Sequence, residues 1–461
     1  MSVSSSTSGV SAQPYPARWK ALAFLGLAQF MLILDVTVVA IALPLMEADL
    51  GLSREAVTWV VAAYTVTFGG LMILGGRLAD LFGSRAIVYV GLSLFIIGSL
   101  LCGLADSGQM LLSGRVGQGV GAALLSPAAL SVVVRLFEGE ERNRALGIWS
   151  ALGGGGAAIG VLLGGLIAAG PGWPWVFFVN VPVGLVILLA LVALLPAMPR
   201  AGEERARLDA LGAALVTAAT AALIYGLIRA GEPGGGGAAL GFVAASLVLY
   251  LVFALWQRTA TSPLMSLALV ARRPVAAGVF VILIATALMV AVFFLGTFYF
   301  QGRAGHGPLV TGLLFLPIAV TTMLGANLGG RLIATMGARR LGVGGMGIAA
   351  AGLLVPALWP TTLATVAGVS VGALGIGALF VVASATALGQ IEPAEAGVAS
   401  GLLSTFHEFG ASIGVATVSS VAAASLAGGD GSGFQNAFLV AAIAALAAAV
   451  VAGLTIPRSG R

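Results

Sequence analysis

Three ionisable side chains interrupt long apolar stretches of this sequence, and their types suit them to proton chemistry. Asp35 is the one ionisable residue between Lys20 and Leu45, and Arg115 and Glu408 lie in similarly apolar surroundings. A charged side chain at the centre of a membrane costs about 2.5–3.5 kcal/mol on insertion scales. Such a group usually faces a partner or a water-filled path, and a carboxyl group there can exchange a proton. The alternative is that Asp35 only caps or packs between helices.

Asp35 and Arg115 are predicted to meet, because they lie at similar depths. At about 1.5 Å per helical residue, Asp35 lies about 13 Å and Arg115 about 9 Å below the outer surface. The long arginine side chain covers the difference. Gln118 lies three residues after Arg115 and shares its helix face. The alternative is that Arg115 extends to the outer interface.

Glu408 lies about 18 Å from the predicted inner surface, near mid-membrane, and its neighbour His407 points about 100° away around the helix. We predict that Glu408 is a second proton site or a contact for a cationic substrate. A structural bond to the adjacent helix bundle is the alternative.

Composition places the chain in a membrane. Of 461 residues, 59% are hydrophobic and only 8% are charged, whereas soluble domains carry about 25% charged residues. The net charge of +5 does not indicate nucleic acid, because the arginines are spread singly between apolar segments. Cys102 is the single cysteine, which excludes a disulfide within the chain and a cysteine metal site.

The apolar segments predict an all-α membrane protein. A span needs about 20 residues. We predict fourteen spans, at residues 19–45, 56–77, 86–105, 109–134, 145–169, 175–196, 208–229, 238–257, 275–300, 309–333, 341–358, 362–388, 397–424 and 434–456. Cytoplasmic loops carry an excess of Lys and Arg. With both termini inside, eighteen of the 22 basic residues become cytoplasmic, and only Arg54, Arg229 and Arg303 lie outside.

An internal repeat divides the chain. The Gly-Arg-Leu sequence at 76–78 recurs at 330–332, and the Gly-Ala-x-Ile-Gly-Val sequence at 156–161 recurs at 410–415, both 254 residues later. Asp35 and Glu408 are not duplicated by this repeat. The spacing predicts two like six-helix bundles with two inserted helices, and such bundles usually rock about a central site.

The predicted division has four parts. Residues 1–18 form a disordered cytoplasmic tail, 19–200 the N-terminal bundle, 201–262 the two-helix insert and 263–461 the C-terminal bundle.

The loop between spans 2 and 3 is a candidate cytoplasmic gate. Gly76 and Gly83 permit a tight turn, and Asp80 and Arg85 can pair across it, which suits a latch that opens in one state. A plain structural turn is the alternative. Four polar residues are candidate liners of a substrate cavity: Gln118, Tyr64, Asn327 and His407. For Tyr64 and Asn327, packing explains the position equally well.

At these residues the chain resembles the fourteen-helix drug:proton antiporter family of the major facilitator superfamily. The stretch from Leu34 to Pro44 matches that family's helix 1 signature. The loop 76–85 matches the superfamily's loop motif, and Arg115 with Gln118 and Gly119 matches its helix 4 motif. The stretch from Trp173 to Pro182 resembles the family's entry to helix 6. The resemblance implies export of small, mostly apolar compounds in exchange for protons.

Four positions depart from the family pattern. Leu81 and Ser84 replace basic residues of the loop motif, and Pro174 replaces a common arginine. Val161 stands where the helix 5 antiporter motif usually has proline, so this departure bears most directly on antiport.

The sequence therefore predicts a proton-coupled exporter of small hydrophobic or cationic compounds, monomeric in the inner (cytoplasmic) membrane. It needs no cofactor, since no phosphate-binding Gly-x-x-x-x-Gly-Lys motif is present and the proton gradient supplies the energy. An importer, by symport or uniport, is the first alternative. A membrane enzyme is the second, although neither a His-Glu-x-x-His nor a Gly-x-Ser-x-Gly motif is present.

Overall fold

The computed structural model describes residues 15–196, 208–389, 396–426 and 431–457, and this part of the chain is helical. The long helices in chain order are α1 (Arg18–Leu50), α2 (Arg54–Phe82), α3 (Ser84–Gly103), α4 (Gly108–Leu136), α5 (Gly139–Ala169), α6 (Asn180–Leu194), α7 (Ala210–Ala230), α8 (Gly236–Thr259), α9 (Arg273–Phe298), α10 (Pro308–Met336), α11 (Ala338–Leu358), α12 (Thr362–Leu388), α13 (Ala396–Val421) and α14 (Ser432–Thr455). Short helices span Trp175–Phe178, Leu267–Ala271 and Ala423–Leu426, and a π-helical turn, Tyr299–Arg303, extends α9.

The all-helical membrane architecture predicted from the sequence is confirmed. Within the described ranges, twelve helices are long and apolar enough to cross a membrane. Helices α5 and α13, of 31 and 26 residues, occupy the positions of the other two predicted spans. The helix order agrees with the predicted 6+2+6 arrangement, and the full count of fourteen spans stays a prediction.

The ends of the predicted domains are only partly described. Residues 1–14 of the predicted tail and most of the charged linker, 197–207, lie outside the described residues. Tyr15 donates a hydrogen bond to the Leu194 carbonyl at 2.9 Å, so the end of the predicted tail packs against α6.

The internal repeat has a backbone counterpart. Gly83 joins α2 to α3 with φ 91°, and Gly337, at the equivalent position 254 residues later, joins α10 to α11 with φ 77°. Side chains with a Cβ rarely adopt positive φ, so glycine permits the same tight reversal in both halves.

Helix α2 of the first half packs along α13 of the second, and hydroxyl pairs bridge the two helices. Thr58 and Ser419 lie 2.6 Å apart between their hydroxyl oxygens, and Thr65 bonds to Ser412 seven residues further along α2. At the predicted outer end, Arg54 donates to the Ser419 carbonyl at 3.2 Å. These bonds hold the predicted outer side of the bundle junction closed.

Helices α5 and α10 form a second close contact between the halves. A Cβ on Gly312 would lie 2.6 Å from the Val161 carbonyl oxygen, and one on Gly165 would lie 2.8 Å from the Pro308 carbonyl oxygen. Small residues let helix backbones approach in this way. Val161, the position that departs from the family's proline, is therefore buried at this contact.

The inserted helix α7 contacts both α2 and α13, and Asp209 caps its N-terminal end. The Asp209 carboxylate accepts hydrogen bonds from Trp256 Nε1 at 2.7 Å, Gln257 Nε2 at 2.5 Å and the backbone amides of Gly212 and Leu264 at 2.8 and 3.0 Å. Burial raises the pKa of the Asp209 carboxyl, but these hydrogen bonds outweigh it and hold that pKa below its usual range. Asp209 thus joins α7, α8 and the segment leading to the second bundle.

Candidate functional site

Asp35 and Arg115 form a buried ion pair between α1 and α4. Arg115 Nη1 donates to Asp35 Oδ2, and each of the two residues is only 1% exposed. The predicted meeting of the two side chains is confirmed, and Arg115 does not extend to the outer interface. A charge this deeply buried is stable only with a partner, so each residue requires the other.

Two further N–H groups of Arg115 also have partners. Its Nε donates to the Val60 carbonyl at 2.8 Å, and Nη1 also donates to Gln118 Oε1 at 2.8 Å. The guanidinium carbon lies 4.4 Å from the centroid of the buried Tyr64 ring, a distance at which a cation and an aromatic face attract each other. Tyr64 and Gln118, predicted as cavity liners, therefore belong to the buried charge cluster.

Two residues that sequence reasoning missed complete this cluster. Gln118 Nε2 donates to Asp35 Oδ1 at 3.0 Å and to Ser99 Oγ at 2.8 Å. Asn180 Nδ2 approaches the same two acceptors, at 3.2 Å from Asp35 Oδ1 and 3.4 Å from Ser99 Oγ. Asn180 belongs to the stretch from Trp173 to Pro182, so that motif is the sequence feature that could have indicated its role. For Ser99, only the polarity of the side chain could have done so.

The entry to helix 6 places Asn180 in the cluster. Trp173 is buried, and its Nε1 donates to Asp49 Oδ2 at 2.8 Å, which anchors the entry to the end of α1. Trp175 is 51% exposed and fits the predicted aromatic belt. One short helical turn later, Asn180 begins α6 and is 2% exposed.

Glu408 lies apart from this cluster, at the junction of the two bundles. A Cβ on Gly69 of α2 would lie 2.7 Å from the Glu408 Cβ, so the two helices touch there. Glu408 is 9% exposed, and within the described ranges its carboxylate has neither a hydrogen bond nor an ion pair.

The other two predicted cavity residues lie elsewhere. His407 Nδ1 is 2.9 Å from Thr286 Oγ1, and its ring packs near Phe380 inside the second bundle. Asn327 is exposed on α10.

A small apolar cavity of about 20 Å³ lies between α1, α2 and α9. It is lined by Val36, Thr37, Ala40, Val61, Val290, Phe293 and Phe294. None of the four predicted cavity residues lines it.

The predicted gate keeps its turn but does not form its ion pair. Gly83 makes the reversal described above, and Gly76 lies opposite Pro127, with 3.7 Å from an added Cβ to the Pro127 Cβ. Arg85 donates to Tyr89 Oη at 2.8 Å and to the Val192 carbonyl at 3.5 Å. The structure shows no ion pair between Arg85 and the exposed Asp80, because Tyr89 lies on the same face as Arg85, four residues later.

Comparison with known proteins agrees with this architecture. A family model described as Major Facilitator Superfamily matches residues 25–415. The chain belongs to the major facilitator superfamily.

Two relatives of this superfamily member carry descriptive names. The puromycin resistance protein pur8 of Streptomyces alboniger is 37% identical over 421 residues, which cover 88% of this chain and 82% of that one. The cephamycin export protein CmcT of Amycolatopsis lactamdurans is 35% identical over 443 residues, covering 92% and 90% of the two chains. These relatives confirm the resemblance to the drug:proton antiporter branch of the superfamily.

A solved structure supports the fold of this transporter. A bacterial homolog of the human lysosomal transporter Spinster, in an inward-facing and occupied conformation, matches with a TM-score of 0.72 at 17% identity. The match covers 96% of this chain and 98% of the other. The superfamily match and the related export protein make the chain a multi-pass membrane transporter rather than an enzyme.

Proposed function

We propose that this transporter exports small apolar or cationic compounds across the cytoplasmic membrane in exchange for protons. The buried ion pair of Asp35 and Arg115 is the observation that carries the proposal. A carboxylate with a single cationic partner, 1% exposed inside a bundle, is the kind of group that marks proton paths in transporters. The names of the resistance and export proteins related to the chain support the direction of transport.

Proton binding at Asp35 would change the stability of the cluster. A neutral carboxylic acid no longer attracts Arg115 as a carboxylate does, so Arg115 is released to other partners. If the outward-open and inward-open states hold this cluster differently, protonation shifts the population between them. The proton gradient drives the cycle, and no bound cofactor is required.

The closed junction between α2 and α13 supports a conformation that opens to the opposite, predicted cytoplasmic, side. The side chains that meet between the two bundles, including Val61, Phe293 and Phe294, are apolar, which favours an apolar substrate. Glu408 lies at the junction without a charged partner in the described ranges, which suits either a second proton site or a contact for a cationic substrate.

Proteoliposomes that contain a pH dye test this function. With an acid interior, single apolar or cationic drugs are added to wild type, Asp35→Asn and Glu408→Gln. Drug-triggered proton release that disappears in Asp35→Asn supports the proposal, and loss in Glu408→Gln with cationic drugs alone assigns that residue to the substrate. Full export by Asp35→Asn would contradict the proposal, and drug movement in the same direction as protons would indicate import by symport.

A further inference from the structure

The Asp35 carboxylate is surrounded by hydrogen-bond donors from two other helices. Arg115 donates to Oδ2, whereas Gln118 and Asn180 donate to Oδ1. An ionised carboxylate only accepts hydrogen bonds, and a protonated one must donate its O–H. The cluster as observed is therefore arranged for the ionised form of Asp35.

Asn180 differs from the other two donors, because Arg115 and Gln118 also hold each other at 2.8 Å. Its side chain joins α6 to Asp35 of α1 and Ser99 of α3. In the observed cluster Asn180 presents its NH₂ group to Asp35 Oδ1, so it stabilises the ionised carboxylate over the carboxylic acid.

We propose that Asn180 is a positioning residue that sets the pH at which Asp35 binds its proton. This inference rests on the proposed function, in which Asp35 is the coupling carboxyl group. It gives the geometry of the helix 6 entry a role: Trp173 and the short helix that follows hold Asn180 against Asp35.

The other titratable groups near Asp35 are few in the described part of the chain. Arg115 faces it from α4, Tyr64 lies beneath the guanidinium from α2, and the Cys102 thiol from α3 reaches Gln118 Oε1 at 3.6 Å. Glu408 of α13 contacts α2 at Gly69, on the same helix as Tyr64. The described titratable side chains of α5 and α9, which also pack against α1, are confined to the ends of those helices.

The direction of the effect follows from which form Asn180 stabilises. Its NH₂ group bonds to the ionised carboxylate in the observed cluster. Removing that donor destabilises the ionised form, so Asp35 should bind its proton at higher pH. A hydrogen bond to a charged group has a strength that corresponds to a shift of about 1–2 pH units.

Infrared difference spectroscopy of the purified full-length protein tests the inference with protons alone and without any drug. The carboxyl C=O band that disappears in Asp35→Asn identifies Asp35, and its intensity is followed against pH. Asn180→Leu should move the midpoint upward by about 1–2 pH units. Asn436→Leu, the same change at an exposed position in the first turn of α14, should leave it in place. Asn180→Gln, which keeps an amide, should restore most of the wild-type midpoint.

Asn180→Ala serves as a second variant if the leucine prevents folding, since it also removes the donor and adds no bulk. An unchanged Asp35 midpoint in the folded Asn180 variants would overturn the inference and leave the proposed function intact. Conversely, gradient-driven export by Asp35→Asn would overturn the proposed function, while the infrared midpoint would still report whether Asn180 acts on Asp35.

Discussion

Gly69 of α2 lies directly against Glu408 of α13, and this contact joins the two halves of the transporter near the middle of the membrane. A Cβ on Gly69 would lie 2.7 Å from the Glu408 Cβ and 3.1 Å from the Thr405 carbonyl oxygen. Both of these atoms are fixed to the backbone of α13, so no side-chain rotation relieves the overlap. The close approach of α2 and α13 therefore depends on glycine at position 69.

We predict that Gly69→Ala separates α2 from α13 and opens the predicted outer side. Overpacking costs about 1–3 kcal/mol, and about 1.4 kcal/mol is a tenfold change in an equilibrium. A cysteine placed at Val61, in the Cys102→Ser background, should then react about tenfold faster with an impermeant maleimide added outside. Gly347→Ala is the control, because nothing lies within 4 Å of an added Cβ there. Equal rates in the two variants would contradict the prediction.

A second prediction concerns how much the ion pair of Asp35 and Arg115 contributes to stability. Arg115→Met leaves Asp35 buried without its cation, and breaking a buried pair by removing one partner costs about 3–5 kcal/mol. The double variant Asp35→Asn with Arg115→Met removes both charges and should recover part of that loss. Unfolding of the purified protein in mixed detergent micelles measures the cycle. Strictly additive losses would show that the two residues are not energetically coupled.

A third prediction concerns the pH dependence of the stability that Asp209 contributes. Its folded-state pKa is lowered, so its stabilising contribution is present above the unfolded value, about 3.9, and is lost as pH falls through the folded value. Asp209→Asn should therefore be less stable than wild type by about 1–3 kcal/mol at pH 7, and the difference should shrink below about pH 4. Thermal unfolding from pH 7 to pH 3 measures it. Asp106→Asn, at an exposed turn, is the control, and a wild-type advantage that grows on acidification would have the wrong sign.

Much of the transporter could be predicted from its sequence because the membrane imposes simple rules. Apolar length located the helices: the span predicted at 362–388 is helix Thr362–Leu388, and most other ends differ by a few residues. Depth along a helix rises by a fixed amount per residue, so the meeting of Asp35 with Arg115 followed from counting. The repeat correctly related Gly83 to Gly337, which make the same reversal.

The partners of uncharged polar residues were decided only by the tertiary structure. Asn180 and Ser99 are uncharged, so burying either side chain costs less free energy than burying an ion, and neither residue type indicates a particular partner. The rotation of each helix determines which face meets Asp35. The same holds for Thr65 and Ser412, which bond across the two bundles. Arg85 can pair with Asp80 in a latched state, but in this structure it bonds to Tyr89, because a side chain four residues away on the same helix is nearer than one across a turn. The sequence by itself determined which charges must be buried and how deep they lie, because burying a charge is expensive. Only the packing of the helices decided which neutral groups surround those charges, because many rotations of an apolar helix bury similar areas.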